Sequence, residues 1–207
     1  MRLYFLRHGE SAANLLRVFS NSGWKHPLTE RGVEQAHAAA RSLAGASVDR
    51  VYSSPVMRAA QTAQILAERL SAPLEIAEAL REWSVGIFEG TADPAGWELH
   101  RRVQDDWFLH QRPDSRMPGG ESFFDIRDRF VPFVESLVRS DDGAGRTLVL
   151  VGHGGLYLAM LPVILKNVGW AFARQHGFPN AAYALAETRP GGLHCLSWCG
   201  VLPNSPS

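Results

Sequence analysis

Residues 3–10 read Leu-Tyr-Phe-Leu-Arg-His-Gly-Glu, and this apolar run with polar groups at its end decides the predicted fold. The same arrangement returns at residues 148–155, which read Leu-Val-Leu-Val-Gly-His-Gly-Gly. Each run is typical of a buried strand that leads directly into a helix. Open α/β sheets bind ligands at the carboxyl ends of their parallel strands, so we expect His8 and His153 to meet at one site.

The remaining sequence alternates strand and helix patterns, which predicts a three-layer α/β/α sandwich. We expect a mostly parallel central sheet with one antiparallel edge strand. Ser54 and Pro55 are predicted as the N-cap and first residue of a helix. The other predicted helices cover 30–43, a segment from Phe123 that is kinked at Pro132, and 156–167. The other predicted strands cover 48–52, 74–77 and a hairpin of 181–187 with 193–198, and a turn is predicted at 141–145.

One domain is the expected organisation for a chain of 207 residues. Residues 83–120 break the alternation, and we interpret them as a partly helical, cap-like insertion over the sheet edge. Lys plus Arg and Asp plus Glu both number 21, so the overall charge does not favour a nucleic-acid or membrane partner. No apolar run approaches the roughly 20 residues that span a bilayer, and no leader pattern precedes the first strand. We therefore expect a cytoplasmic protein.

Three predicted strand-to-helix junctions supply polar groups to the same sheet edge. The first supplies Arg7 and His8, the second supplies Arg58, and the third supplies His153. Helix N-termini offer free backbone N–H groups and the positive end of a dipole, and guanidinium groups match phosphate oxygens in a bidentate way. The sequence therefore predicts a pocket for a compact dianion such as a phosphoryl group. Its rim is kept free of Cβ atoms by four glycines, Gly9, Gly152, Gly154 and Gly155.

A histidine in such a cationic pocket suits nucleophilic attack on phosphorus. Neighbouring guanidinium groups disfavour the protonated imidazole and leave a neutral nitrogen. The leaving oxygen then needs a proton, and Glu82, at the entrance to the insertion, is the best candidate for a general acid and base. The other histidines, His100 among them, have no partner pattern and are expected to be structural or exposed.

These residues resemble the histidine phosphatase superfamily, also called the phosphoglycerate mutase-like family. The resemblance spans residues 3 to about 160 in family order. Its blocks are Leu6-Arg7-His8-Gly9-Glu10-Ser11 with Asn14, Pro27-Leu28-Thr29-Glu30-Arg31-Gly32, Ser53-Ser54-Pro55 with Arg58, Leu80-Arg81-Glu82, Pro118-Gly119-Gly120-Glu121-Ser122 and Gly152-His153-Gly154-Gly155. One departure is Lys25-His26, which stands where members often carry an acidic residue.

The resemblance implies a phosphoglycerate mutase-like fold and a role for each site residue. His8 would become the phosphohistidine, and Glu82 would protonate the leaving alcohol and later activate water. The phosphoryl oxygens would be bound by Arg7, Asn14, Arg58, His153 and Gly154. Asn14 fits an N-terminal helix cap equally well. The resemblance implies no metal and no other cofactor.

The short insertion and the pair Gly154-Gly155 resemble the phosphatase branch of the family. They favour hydrolysis of a small phosphate monoester over a phosphoglycerate mutase-type transfer. A catalytically silent phosphate-ester binding module is a second alternative, which the complete set of site residues disfavours. A metallohydrolase built on His8, Glu10 and His153 is a third, although no H-E-x-x-H pattern is present. The predicted hairpin edge leaves both a monomer and a homodimer open.

Overall fold

The computed structural model describes residues 1–140 and 145–203, and strands alternate with helices over most of that length. The strands are β1 (Arg2–Arg7), β2 (Arg50–Ser53), β3 (Leu74–Ile76), β4 (Thr147–Gly152), β5 (Tyr183–Arg189) and β6 (Gly192–Trp198). The α-helices are α1 (Ala12–Leu16), α2 (Glu30–Ser42), α3 (Met57–Leu70), α4 (Pro94–Phe108), α5 (Phe123–Arg139), α6 (Gly154–Ile164) and α7 (Trp170–His176). Short 3₁₀ helices cover Glu78–Leu80 and Gly86–Phe88.

The central sheet has the strand order β3-β2-β4-β1-β5-β6. The first four strands in this order are parallel, whereas β5 is antiparallel to both of its neighbours. The mostly parallel sheet is confirmed, but its antiparallel strand lies one place inside the edge, because the hairpin carries β6 beyond it. Arg7 pairs with Gly152 in the register of β1 and β4. The residues that follow these two strands, His8 and His153, therefore emerge side by side.

Side chains of the central strands alternate between two hydrophobic cores, one on each face of the sheet. On β1, Leu3 and Phe5 enter a core that also contains residues of α5, α6 and α7. Tyr4 and Leu6 enter the opposite core, which α2 and α3 complete. The predicted three-layer sandwich is thus confirmed. None of the helices in the two described ranges is long and apolar enough to cross a membrane.

Two predicted helix boundaries are wrong. Helix α3 begins at Met57 with Val56 as its N-cap, so Pro55 is not its first residue. The Ser54 hydroxyl accepts from the backbone N–H of Val56 over 3.3 Å and lies 2.8 Å from Nε2 of His153, so it holds a turn that precedes the first helical residue. Helix α6 covers 154–164 rather than 156–167 and starts directly after His153.

The other helices bear out their sequence patterns, with one addition. Helix α5 continues through Pro132 to Arg139, and α2 matches its predicted span within one residue. Helix α7 has no counterpart in the sequence prediction. The turn predicted at 141–145 falls mainly on 141–144, outside the described residues.

Residues 83–120 contain α4 and are fixed to the body of the protein. Trp83 and Trp107 are buried in the same core as Phe123 of α5. Gly86 has a φ of +59°, and a Cβ there would lie 2.0 Å from the carbonyl oxygen of Pro118. Only glycine therefore permits this close approach of the two ends of the segment.

Candidate active site

A cavity of about 260 Å³ opens at the carboxyl ends of β1 and β4. Six of the predicted site residues line it: Arg7, His8, Asn14, Arg58, Glu82 and Gly154. His153 lies directly behind, fully buried, with its ring centroid 5.1 Å from that of His8. The sheet thus brings together groups as distant in the sequence as His8 and His153, which are 145 residues apart.

His8 is 2% exposed, and its two ring nitrogens have different partners. Nδ1 lies 2.7 Å from the carbonyl oxygen of Gly9, which can only accept, so Nδ1 carries the proton. Nε2 therefore holds the lone pair, and it accepts a hydrogen bond of 2.9 Å from Nε of Arg58. Burial, together with the charges of Arg58 and Arg7, places the pKa of His8 well below its usual value. The imidazole is neutral near pH 7, with Nε2 as its nucleophilic atom.

Arg58 lies at the start of α3 and is 5% exposed. Its guanidinium donates to His8, to the backbone oxygen of Ser20 and, over 3.1 Å, to Nδ1 of His153. Burial lowers the pKa of Arg58 to about 10, which still leaves it charged near pH 7. No carboxylate within the described ranges forms an ion pair with it. A buried cation with neutral partners favours an anionic ligand.

The tautomer of His153 follows from its neighbours in the same way. Arg58 can only donate, so Nδ1 of His153 is the acceptor and Nε2 carries the proton. Nε2 then donates to the Ser54 hydroxyl. His153 is the N-cap of α6, so it stands where the free N–H groups of that helix begin.

Arg7 contributes a second cation, which is half-buried. Its Nη1 donates to the carbonyl oxygen of Phe178 over 2.6 Å, whereas the buried Nε has no hydrogen-bond partner among the described residues. A Cβ on Gly154 would lie 3.1 Å from that Nε. The absence of a side chain at Gly154 therefore leaves space for the guanidinium group of Arg7.

Glu82 follows the 3₁₀ helix Glu78–Leu80 and points into the cavity. Its carboxylate accepts hydrogen bonds from the backbone N–H of Trp83 at 3.1 Å and of Gly155 at 2.9 Å. Burial raises the pKa of Glu82, although these two donors and the nearby arginines oppose the shift. The raised pKa keeps this carboxyl group protonated to higher pH than an exposed glutamate, which suits a general acid.

Asn14 helps to cap α1 and lies in the cavity wall, and its contact with phosphoryl oxygens stays a prediction. Its Oδ1 accepts from the backbone N–H of Ser11 over 3.0 Å, which is the capping interaction at the start of α1. The same oxygen lies 3.3 Å from Nδ2 of Asn180, and the residue also lines the cavity.

Several residues around the cavity were missed by the sequence interpretation. Ser54 is a direct partner of His153, and the cap segment supplies Trp97, His100 and Gln104 to the cavity wall. We expected His100 to be structural or exposed, but its ring lines the cavity. The spacing 97, 100 and 104 on one helix is the signal that could have found this face.

Glu10 does not join the two histidines. Its carboxylate accepts from the Thr29 hydroxyl at 2.9 Å and lies 3.6 Å from Nη1 of Arg31. Across 1–140 and 145–203, no three His, Cys, Asp or Glu side chains are grouped as metal ligands. The departure at Lys25-His26 has a local role, because Nδ1 of His26 lies 2.9 Å from the Ser20 hydroxyl. His26 thereby supports the position of Ser20, whose backbone carbonyl oxygen accepts a hydrogen bond from Arg58.

A neutral histidine beside one buried and one half-buried guanidinium group, with a carboxyl of raised pKa in the same cavity, defines a phosphoryl-transfer enzyme of the histidine-nucleophile class. Comparison with known families agrees with this class. The model of the histidine phosphatase superfamily (branch 1) matches residues 3–200. The chain belongs to that family.

Individual relatives include phosphatases and a mutase. A glucosyl-3-phosphoglycerate phosphatase of Mycolicibacterium vanbaalenii is 34% identical, over 95% of this chain and 91% of the relative. A 2,3-bisphosphoglycerate-dependent phosphoglycerate mutase of Methylobacterium radiotolerans is 32% identical, over 78% of each chain. The solved structure of a mycobacterial glucosyl-3-phosphoglycerate phosphatase in complex with VO3 is 30% identical, with a TM-score of 0.81 over 97% of this chain and 99% of that one. Within the family, this chain is a phosphomonoester hydrolase.

Proposed function

We propose that the protein hydrolyses a small phosphate monoester in two steps through a phosphohistidine at His8. In the first step Nε2 of His8 attacks phosphorus, the bond from phosphorus to the ester oxygen breaks, and Glu82 gives its proton to the departing alcohol. In the second step the Glu82 carboxylate takes a proton from water while the water oxygen attacks phosphorus. The bond from phosphorus to nitrogen then breaks, which regenerates His8 and releases inorganic phosphate.

The observation that carries this proposal is the fixed tautomer of His8. The Gly9 carbonyl holds the proton on Nδ1, so the lone pair of Nε2 is directed at the cavity and at Arg58. In the free enzyme the guanidinium donates to that lone pair. An incoming phosphoryl group offers better acceptors, so its oxygens take over the N–H group of Arg58 and free Nε2 for attack.

The remaining groups support transfer by charge and position. Phosphoryl transfer needs electrostatic stabilisation of the equatorial oxygens more than covalent assistance. The guanidinium groups of Arg7 and Arg58 supply the positive charge for those oxygens, and His153 orients Arg58 by accepting its hydrogen bond at Nδ1. Backbone N–H groups at the start of α6, beginning with Gly154, add the positive end of a helix dipole.

For the substrate, we propose a phosphorylated glycerate or a glycoside of one. Two relatives named above act, by their names, on phosphoglycerate esters. We further propose that residues 83–120 act as a cap on the single domain and select the leaving group, because their helix α4 lines the cavity beside the catalytic groups.

The test is a panel of phosphomonoesters with the wild-type protein and the His8→Ala variant. The panel contains glucosyl-3-phosphoglycerate, 3-phosphoglycerate, phosphoserine and p-nitrophenyl phosphate. We expect wild type to release phosphate and to form an acid-labile phosphoenzyme, and His8→Ala to do neither. His110→Ala changes an exposed histidine beyond the end of α4 and serves as the matched control.

Two outcomes would overturn the proposal. Equal phosphate release by wild type and His8→Ala would show that the reaction does not pass through a phosphohistidine at His8. Interconversion of 2- and 3-phosphoglycerate with a bisphosphoglycerate primer, without release of phosphate, would make the chain a mutase. A cytoplasmic location and the choice between monomer and homodimer stay predictions, which cell fractionation and light scattering would check.

A further inference from the structure

Helix α4 presents three side chains to the cavity that also contains the phosphoryl-binding groups. Trp97, His100 and Gln104 are spaced by three and four residues, so they share one face of the helix. The mechanism above uses none of them. They are therefore available to a leaving alcohol that occupies the same cavity as the phosphoryl group.

His100 is held in a ring of aromatic side chains. Its imidazole stacks on Trp83 with centroids 4.5 Å apart and planes 20° apart. Phe19 and Trp97 approach it at 5.4 Å and 5.3 Å. A Cβ on Gly155 would lie 2.8 Å from both Oε1 of Glu82 and Nε1 of Trp83, so the Trp83 ring that stacks on His100 also borders the carboxyl group of Glu82.

Two of these three side chains leave their hydrogen-bonding groups unused within the described part of the protein. Neither the His100 imidazole nor the Gln104 amide hydrogen-bonds to another group in the described part of the chain. Burial, with a smaller contribution from the charge of Arg101, lowers the pKa of His100 to about 4. Near pH 7 its ring is therefore neutral and has one N–H donor and one acceptor nitrogen. Gln104 adds two donors and one acceptor.

Unpaired neutral donors and acceptors beside aromatic walls match a particular kind of ligand. Hydroxyl groups both donate and accept, and they satisfy such partners without bringing a charge into the cavity. The ring of Trp97 is fixed for contact with the carbon skeleton, because it stacks on Phe19 at 3.9 Å and its Nε1 donates to the carbonyl oxygen of Arg17.

We propose that His100 and Gln104 are specificity residues that bind hydroxyl groups of the leaving alcohol. The preferred substrates are then phosphate esters whose alcohol carries several hydroxyls, as in a sugar derivative. This inference rests on the phosphatase function proposed above and names the part of the substrate that the cap recognises.

The test compares two leaving groups in variants that delete only the hydrogen-bonding atoms. His100→Phe keeps an aromatic ring against Trp83, and Gln104→Leu keeps approximately the volume of the side chain. For glucosyl-3-phosphoglycerate we expect each variant to lower kcat/KM about tenfold, mainly through KM. For p-nitrophenyl phosphate, which has no hydroxyl groups, the change should stay below about twofold. His100→Gln, which retains a donor and an acceptor, should recover part of the loss.

The exposed His110 provides the control, because His110→Phe makes the same substitution outside the cavity. Equal losses on both esters would show that His100 and Gln104 only support the fold, and would overturn the inference. Unchanged rates on both esters would overturn it as well, as would a wild type that cleaves p-nitrophenyl phosphate but not the sugar ester. A wild type that cleaves neither ester and forms no phosphoenzyme would instead refute the proposed phosphatase function.

Discussion

Alanine at position 155 tests whether the position of Glu82 controls proton donation. A Cβ added to Gly155 would lie 2.8 Å from Oε1 and 2.9 Å from Oε2 of Glu82, and 2.8 Å from Nε1 of Trp83. Ordinary non-bonded contacts need about 3.5 Å, so the carboxyl must move by about 0.7 Å. Trp83 is fully buried, and the flexible end of Glu82 is therefore the part that gives way.

The expected magnitude follows from this displacement. A misplacement of about 1 Å costs roughly 100-fold in rate, within the range of about 10² to 10⁴ that general acid catalysis contributes. We expect kcat for an alkyl phosphate to fall about 100-fold. An aryl phosphate has a leaving group that needs little protonation, so its kcat should fall less than about fivefold.

The fold should tolerate the substitution. Alanine is favoured over glycine in a helix by up to about 1 kcal/mol. This offsets the weakened hydrogen bond from the Gly155 N–H to Glu82, which contributes a similar amount. We expect the melting temperature to change by no more than about 4 °C. Gly45→Ala is the control, because a Cβ there meets nothing within 4 Å.

The assay is a double-mutant cycle with Gly155→Ala, Glu82→Gln and the combined variant, each measured on both esters. If the alanine acts through Glu82, it should have almost no further effect once Glu82 is replaced. Losses that multiply in the double variant, or that are equal for the two esters, would refute the reasoning.

Three further predictions address the nucleophile, the pH profile and the cap. His8→Ala should lower kcat by at least about 10³-fold with every ester, and mass spectrometry of the acid-quenched reaction should show no phosphoenzyme. The lowered pKa of His8 keeps its lone pair free as the pH falls, so the acid limb of kcat/KM should have its midpoint below 6.5. The raised pKa of Glu82 keeps its carboxyl group protonated to higher pH, so the alkaline limb of kcat/KM for an alkyl ester should have its midpoint above 4.5. This limb should vanish in Glu82→Gln. If it is unchanged in that variant, the titrating group is not Glu82. Gly86→Ala places a Cβ 2.0 Å from the carbonyl oxygen of Pro118 at a residue with positive φ. We expect the free energy of unfolding to fall by about 2 kcal/mol and KM to rise. An unaltered denaturation midpoint would contradict this close approach.

Local patterns in the sequence were sufficient for the framework of the fold. The alternation of Leu3, Tyr4, Phe5 and Leu6 between two cores follows from the period of a strand, which is a local property. The placement of His8 beside His153 needed only the rule that parallel strands end at a common edge, and the register of β1 and β4 agrees with it. The helix boundaries at Ser54-Pro55 and after Gly152 were less accurate, because the Ser54 hydroxyl has a distant partner, His153, besides the local N–H of Val56.

The sequence by itself determined the parallel sheet, its two strand-end histidines and the chemical character of the site, because these follow from periodicity and from residue type. Tertiary structure alone decided which atoms face one another. The contact of Ser54 with His153 joins residues 99 positions apart, and Arg58 reaches His153 across 95. The tautomer of each histidine depends on such contacts, as does the face of α4 that lines the cavity. Local sequence patterns do not predict these contacts, because the partners are distant in the sequence and meet only after the two cores and the cap have packed.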